Sequence, residues 1–161
     1  MPPSADLTQL LFLVDTAYDH VSWHGPNLRG ALRGVTPAQA AWRPGPGRHN
    51  IWELAVHAAY WKYAAWRRLT GAKRGSFPLP GSNFLARPLE LTATAWRADL
   101  ALLEQMHRTL RAAVAALPAG TLDAPSAQRG VTKRALVTGV AAHDLYHAGQ
   151  IQLLKRLGGR S

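Results

Sequence analysis

Two histidines stand four residues apart in the segment His143-Asp144-Leu145-Tyr146-His147. Residues i and i+4 lie one above the other on the same face of an α-helix. Here that face is the apolar one, because apolar residues recur on it every three or four positions. His57 lies on the apolar face of a second predicted helix. Three inward imidazoles are costly to bury unless they share a partner.

A divalent metal is the simplest shared partner. Neutral imidazole binds zinc, nickel, iron or copper well, and three protein ligands leave coordination positions open for water or substrate. The opposing interpretation is structural, since a lone inward histidine is usually a hydrogen-bonded core residue and i,i+4 histidine pairs also arise by chance. The spacing alone leaves both interpretations open.

Three residues near the histidines are weaker candidates for a catalytic role. Glu53 lies one turn before His57 and could act as a base or as a hydrogen-bond acceptor, although a capping box at the helix start explains it equally well. Tyr60 lies one turn beyond His57, and Gln150 one turn beyond His147. Either could orient a ligand or substrate, but packing is the commoner role for such residues.

Three further residues are weak candidates for lining a substrate pocket. His24 precedes a predicted helix end, where hydrogen bonding is the simpler explanation, and Trp61 belongs first to the core. His107 has a strict core register, which favours a hydrogen-bonded core histidine over a pocket group. Asp144 is adjacent to His143 in sequence, so we expect it to point away from a metal.

Stripes of apolar residues predict four long amphipathic helices, and no segment alternates like a strand. The first stripe starts at Leu7 and is followed by Gly25-Pro26; the second helix runs from Asn50 to near Gly71, the third from Pro88 to Pro118, and the fourth from Thr132 to Gly158-Gly159. Between the first and the second of these helices, the segment Thr36-Pro37-Ala38-Gln39 predicts a capping box that opens a short helical turn.

The pattern indicates an all-α protein, a four-helix bundle. The segment 72–87 has no helical period and, when extended, could reach about 50 Å. A helix of 20 residues is about 30 Å long. A crossover between helices 2 and 3 could therefore run the length of the bundle, which predicts an up-down-down-up topology. We find no internal repeat or linker and expect one domain over residues 1–161.

The composition excludes several classes of site. The chain has 161 residues and no cysteine, which excludes disulfide frameworks, cysteine-rich zinc modules, iron–sulfur clusters and cysteine nucleophiles. The N-terminal segment lacks a basic signal-peptide region, and its longest uncharged apolar run, Leu10 to Val14, is far too short to span a bilayer. We expect a cytoplasmic protein without a membrane partner.

The formal net charge of +10 raises nucleic acid and anionic membranes as partners. The arginines, however, are scattered singly or in pairs, with no dense basic run and no nucleic-acid-binding motif. We therefore expect no nucleic-acid partner.

Several segments together resemble the DinB-like (DinB/YfiT) family over nearly the whole chain. They are Trp52-Glu53-Leu54-Ala55-Val56-His57, His143-Asp144-Leu145-Tyr146-His147-Ala148-Gly149-Gln150-Ile151, Ser22-Trp23-His24-Gly25-Pro26 and Trp42-Arg43-Pro44. The resemblance implies an up-down-down-up bundle in which His57, His143 and His147 hold a divalent metal, often zinc or nickel.

The resemblance implies less about the reaction. Some members look like thiol S-transferases or isomerases that use a low-molecular-weight thiol such as bacillithiol or mycothiol, and others like hydrolases. We expect a metal-dependent thiol S-transferase or hydrolase with a small-molecule substrate. The alternative is a non-enzymatic metal-binding or stress-response protein. Many members look dimeric, so the resemblance also allows a homodimer.

Overall fold

The computed structural model describes residues 4–159, and within that range the chain is all-helical, without a β-strand. Its six helices are α1 (Ala5–Tyr18), α2 (Leu28–Leu32), α3 (Pro37–Ala41), α4 (Ile51–Thr70), α5 (Ala93–Ala115) and α6 (Lys133–Gly158). The long helices α1, α4, α5 and α6 correspond to the four apolar stripes. The predicted all-α class is confirmed, and the packed long helices are compatible with a bundle.

A side-chain oxygen caps each helix at its N-terminus, where the first backbone N–H groups have no partner inside the helix. Each cap accepts a hydrogen bond from the N–H three residues further on; the caps are Ser4, Asn27, Thr36, Asn50, Thr92 and Thr132. The predicted capping box between Thr36 and Gln39 is confirmed. Gly71 closes α4 in the left-handed conformation, with a φ of 76°.

The first long helix is shorter than predicted. α1 ends at Tyr18 and does not continue towards Gly25-Pro26. Asn27 donates its side-chain N–H to the carbonyl oxygen of His20 at 2.8 Å, which holds the chain in a turn after the helix. His24 therefore lies in an exposed loop and not on a helical stripe.

The third long helix also starts later than predicted. α5 begins at Ala93 and not at Pro88, because Thr92 supplies the N-cap. Leu89 and Leu91 are exposed, so no apolar contact extends the helix backwards. The connection between α4 and α5 consequently covers residues 71–92.

The long helices enclose two apolar clusters. One surrounds Trp52 of α4 and includes Trp96, Leu103 and Ile151. The other includes Leu10, Val14, Leu110 and Val137. α4 packs against both α5 and α6, and this arrangement brings His57 opposite the histidines of α6. No helix in residues 4–159 combines the length and the apolar character that a membrane crossing requires.

Candidate metal centre

Three imidazole nitrogens converge where α4 faces α6. The Nε2 atom of His143 lies 3.1 Å from the Nε2 of His57 and 3.0 Å from the Nε2 of His147. One ring nitrogen from each residue lies within 4.8 Å of the others, so the cluster could hold a metal ion. Because His143 and His147 are one helical turn apart, α6 alone aligns two of the three nitrogens.

The opposite ring nitrogens show which tautomer two of these histidines adopt. His57 Nδ1 donates to the carbonyl oxygen of Asn83 at 3.1 Å, and His147 Nδ1 donates to Oε1 of Gln150 at 2.6 Å. Both partners are acceptors, so the proton resides on Nδ1 and the Nε2 lone pair points into the cluster. Such outer partners orient the imidazoles that bind metals.

The donor set fits a divalent metal. Burial lowers the pKa of His57 to about 4 and, together with the neighbouring imidazoles, lowers that of His143 to about 3. Burial also lowers the pKa of His147, against the hydrogen bond to Gln150. The imidazoles are therefore neutral near pH 7, which makes the Nε2 lone pairs of His57 and His147 available to a metal. Three neutral nitrogens are a ligand set that zinc and similar metals prefer.

A cavity of about 600 Å³ opens onto the three histidines. Its wall includes the apolar side chains of Leu54, Phe84, Leu153 and Leu154, and Arg48 and Tyr146 also line it. Phe84 stacks between two imidazoles, at 3.8 Å from the ring centre of His57 and 3.7 Å from that of His49. The volume is typical of a cavity for a small molecule.

Glu53 is held by residues other than the three histidines. Its buried carboxylate accepts hydrogen bonds from Arg43 at 3.0 Å and from His49 at 2.9 Å. Burial raises the pKa of Glu53, but the hydrogen bonds from Arg43 and His49 outweigh burial and hold the pKa below its usual value. The Glu53 backbone N–H donates to the side chain of Asn50, which is the N-cap of α4. The Glu53 side chain does not bond back to Asn50, because it pairs with Arg43 and His49, so the capping box is incomplete.

The other two candidates for a catalytic role lie in different surroundings. Tyr60 packs edge-to-face on Phe77, with ring centres 5.3 Å apart, and does not line the 600 Å³ cavity. Gln150 lines that cavity and holds His147 through the hydrogen bond described above. Gln150 therefore borders both the cavity and a cluster histidine, whereas Tyr60 lies outside that cavity.

The structure separates the candidates for pocket lining. His24 lies beside Ser22 in its loop and lines a different surface cavity. His107 is buried, with its ring stacked on Tyr18 at 3.7 Å and its Nδ1 3.4 Å from Nζ of Lys62. This environment matches the expectation of a core histidine.

Trp61 stands beside the cluster, with its ring centre 6.1 Å from that of His143. It also donates from Nε1 to the side-chain oxygen of Asn83 at 3.0 Å, so Asn83 contacts both Trp61 and His57. Asn83 adopts a positive φ of 62°, which asparagine tolerates better than most residues. Sequence analysis missed Asn83, because a single asparagine in a long connection gives no sign of which helix it will contact.

A buried ion pair adjoins the cluster and was also missed. Lys62 of α4 contacts Asp144 of α6, and both side chains are almost fully enclosed. Burial raises the pKa of Asp144, and the neighbouring ammonium of Lys62 opposes that rise. Asp144 does point away from the three converging nitrogens, as its place next to His143 predicts, but its partner lies on another helix.

Comparisons with known proteins agree with this site. A family model described as the DinB superfamily matches residues 20–151, which include all three histidines. Neither the comparison with curated proteins nor that with solved structures found a match. Membership and the buried histidine cluster are together compatible with metal binding. Because the matched segment covers most of the chain, the protein belongs to the DinB superfamily, as its histidine segments predict.

Proposed function

We propose that the protein is an enzyme that depends on a divalent metal, zinc or nickel, held by His57, His143 and His147. The observation that carries this proposal is the convergence of three Nε2 atoms, two of them with lone pairs directed inward by hydrogen bonds at Nδ1. When bound, such a metal supplies Lewis acidity, which lowers the pKa of a water or thiol and yields a nucleophile near neutral pH.

The residues of this chain would orient the ligands and shape the cavity. Asn83 and Gln150 hold the imidazoles of His57 and His147 in place. Phe84 covers the His57 ring and reduces the access of water to it. The cavity of about 600 Å³ beside the histidines favours an enzyme over the non-enzymatic alternative, which would need no space for a substrate.

The proposed reaction is the transfer of a low-molecular-weight thiol to an electrophilic small molecule. The chain has no cysteine, so the nucleophilic sulfur must come from a separate thiol. A sulfur–carbon bond forms while the thiol proton passes to solvent and the leaving group departs with its electron pair. Hydrolysis, with water as the nucleophile, is the second candidate at the same site.

We also infer the up-down-down-up order of the four long helices. Support comes from two sets of contacts. Between α4 and α5 the residue numbers of the contacting pairs rise together, so these two helices run parallel. Between α4 and α6 the numbers rise on one helix as they fall on the other, so these two run antiparallel. The first set is Trp52 with Asp99 and Lys62 with His107; the second is His57 with His147 and Trp61 with His143. In this topology residues 71–92 form the crossover. One domain over residues 1–161, a cytoplasmic location, a homodimer and the lack of a nucleic-acid partner stay predictions.

The test is a panel of nucleophiles against one electrophile. Bacillithiol, mycothiol, glutathione and water are compared with the zinc-loaded protein, the metal-free protein and the His57→Ala variant. Thiol transfer predicts that at least one thiol reacts faster with the loaded protein than with either control. Acceleration of the water reaction alone would establish hydrolysis, and equal rates throughout would leave only metal binding.

A further inference from the structure

The 600 Å³ cavity beside the three histidines has a positive and no negative charge on its wall. Arg48 lines it, whereas no aspartate or glutamate among residues 4–159 does so. The nearby carboxylate of Glu53 is already engaged by Arg43 and His49. A divalent metal held by three neutral imidazoles would keep its own two positive charges. The electrostatic field in this cavity therefore favours an anion.

The backbone of Arg48 is held in place while its side chain has no counter-ion. Arg43 donates to the carbonyl oxygen of Arg48 at 2.6 Å, and the same guanidinium donates to Glu53 in the first turn of α4 at 3.0 Å. The exposed side chain of Arg48 forms no ion pair with a carboxylate in the described part of the chain. Arg48 is thus a cation fixed beside the cavity and free to bind a ligand.

Two further residues of the wall supply hydrogen-bond donors. Oε1 of Gln150 accepts the Nδ1–H of His147, so the amide NH₂ group of Gln150 is its free donor. The ring of Tyr146 packs edge-on against His147, with centres 5.1 Å apart, and the side chain is 65% exposed. Its hydroxyl group forms no hydrogen bond within residues 4–159. Like Arg48, both groups suit a ligand that accepts hydrogen bonds.

The rest of the wall is largely apolar. Leu153 lines the cavity and is 57% exposed, and Leu54, Phe84 and Leu154 also contribute. On α6, Tyr146, Gln150 and Leu153 are three or four residues apart in turn, so one helical face presents both donors and apolar surface. An exposed apolar surface bordered by polar groups is typical of a ligand-binding groove.

We propose that the electrophilic substrate of this cavity is an apolar carboxylate, and that Arg48 is the residue that selects it. The guanidinium of Arg48 binds the carboxylate, Tyr146 and Gln150 donate to its oxygens, and the apolar body packs on Phe84 and Leu153. A guanidinium matches the geometry of a carboxylate and forms charge-assisted hydrogen bonds with it.

This inference rests on the proposed function, because it names the substrate class of the same cavity. A carboxylate bound to Arg48 fixes one end of the electrophile and so orients the molecule beside the histidines. The apolar wall favours an electrophile of this kind over a thiol such as glutathione, which is polar along its whole length. Arg48 therefore serves the electrophile and not the thiol.

The test compares phenylacetate, an apolar carboxylate without a reactive centre, with its neutral analogue phenylacetamide. Calorimetry measures the dissociation constant of each for the zinc-loaded protein, and elemental analysis gives the zinc content of the same samples. The wild type should bind phenylacetate about tenfold more tightly than phenylacetamide, since only the carboxylate pairs with a guanidinium. Glutathione is titrated as a third ligand.

Substitutions at Arg48 separate its charge from its shape. Arg48→Met should abolish the preference for phenylacetate and leave phenylacetamide and glutathione affinities unchanged. Arg48→Lys should keep part of the preference, because a cation remains at the same position. Arg129→Met is the matched control, as Arg129 is also exposed but does not line this cavity, and it should behave like wild type.

The outcomes distinguish this inference from the proposed metal site. Equal affinities for phenylacetate and phenylacetamide in the zinc-loaded wild type would overturn the carboxylate site and leave the metal site intact. A preference that survives in Arg48→Met would mean that the carboxylate contacts the zinc, which also overturns it. Loss of glutathione affinity alone in Arg48→Met would assign Arg48 to the thiol and refute the inference. A preference that depends on Arg48 in samples without zinc would refute the metal site only.

Discussion

Lys62 and Asp144 form an ion pair between α4 and α6 whose side chains are only 1% and 2% exposed. On α5 and α6, the buried residues His107 and Asp144 lie between the members of the two apolar clusters, and Lys62 of α4 contacts both of them. The ion pair therefore joins the two helices that carry the metal-binding candidates, and Asp144 directly follows His143 in the chain.

We expect Lys62→Met to lower the free energy of unfolding by about 3–5 kcal/mol, because it leaves Asp144 buried without a cation. The double variant Lys62→Met/Asp144→Leu should recover much of that loss, since it removes both charges. Urea unfolding at pH 7 of the wild type, both single variants and the double variant forms a complete cycle. Additive effects of the two substitutions would show that the residues do not stabilise the fold as a pair.

The metal site predicts one divalent metal per chain in the purified protein. Replacing His57, His143 or His147 with alanine should abolish it, because two remaining imidazoles hold a metal far more weakly. His24→Ala is the control, as His24 is exposed and does not line the 600 Å³ cavity at the three histidines. Elemental analysis of each purified protein measures the metal content per chain. The ligand assignment would be refuted if the His143→Ala and His147→Ala proteins held as much metal as the wild type.

Gln150 should affect zinc affinity without binding the metal itself. Gln150→Ala removes the oxygen that accepts the His147 Nδ1–H, so we expect zinc affinity to fall by about 10–100-fold. Gln152→Ala, two residues along α6 and outside the cluster cavity, should leave the affinity unchanged. Competition with a chelator measures both. Equal affinities in the two variants would mean that the hydrogen bond does not orient His147.

His107 should make the metal-free protein less stable in mild acid. Burial, reinforced by the charges of Lys62 and Arg111, lowers the pKa of His107 to about 2, whereas the unfolded chain titrates near pH 6.5. Below pH 6.5 the unfolded state binds the extra proton, so stability falls as the pH falls towards the folded pKa. From pH 7 to pH 5 this one group should cost about 2 kcal/mol.

The check on His107 compares urea unfolding of metal-free wild type and His107→Gln at both pH values. The cluster histidines also titrate in the metal-free protein, but they contribute to both proteins and cancel in the comparison. The wild type should lose about 2 kcal/mol more than the variant. An identical loss in the two proteins would contradict the prediction that His107 stays neutral in the fold.

The helices, and the pairing of His143 with His147, follow from local rules. A cap such as Asn50 or Thr132 and the spacing of apolar residues act within one or two helical turns, so they can be recognised without knowing what lies across the core. The two helix ends that were predicted wrongly are set by polar side chains, and for α5 that side chain is the N-cap Thr92. α1 stops at Tyr18 where Asn27 reaches back to His20, which the apolar stripe does not reveal.

The sequence by itself determined the all-helical class, the inward face shared by two histidines and the lack of any internal thiol. Tertiary structure decided what each polar group meets. Asn83 reaches His57 across 26 positions, and Lys62 meets Asp144 across 82. Such contacts depend on how α4, α6 and the connection 71–92 pack together. No local preference encodes these pairs, because their hydrogen bonds form only after apolar burial has brought the helices together.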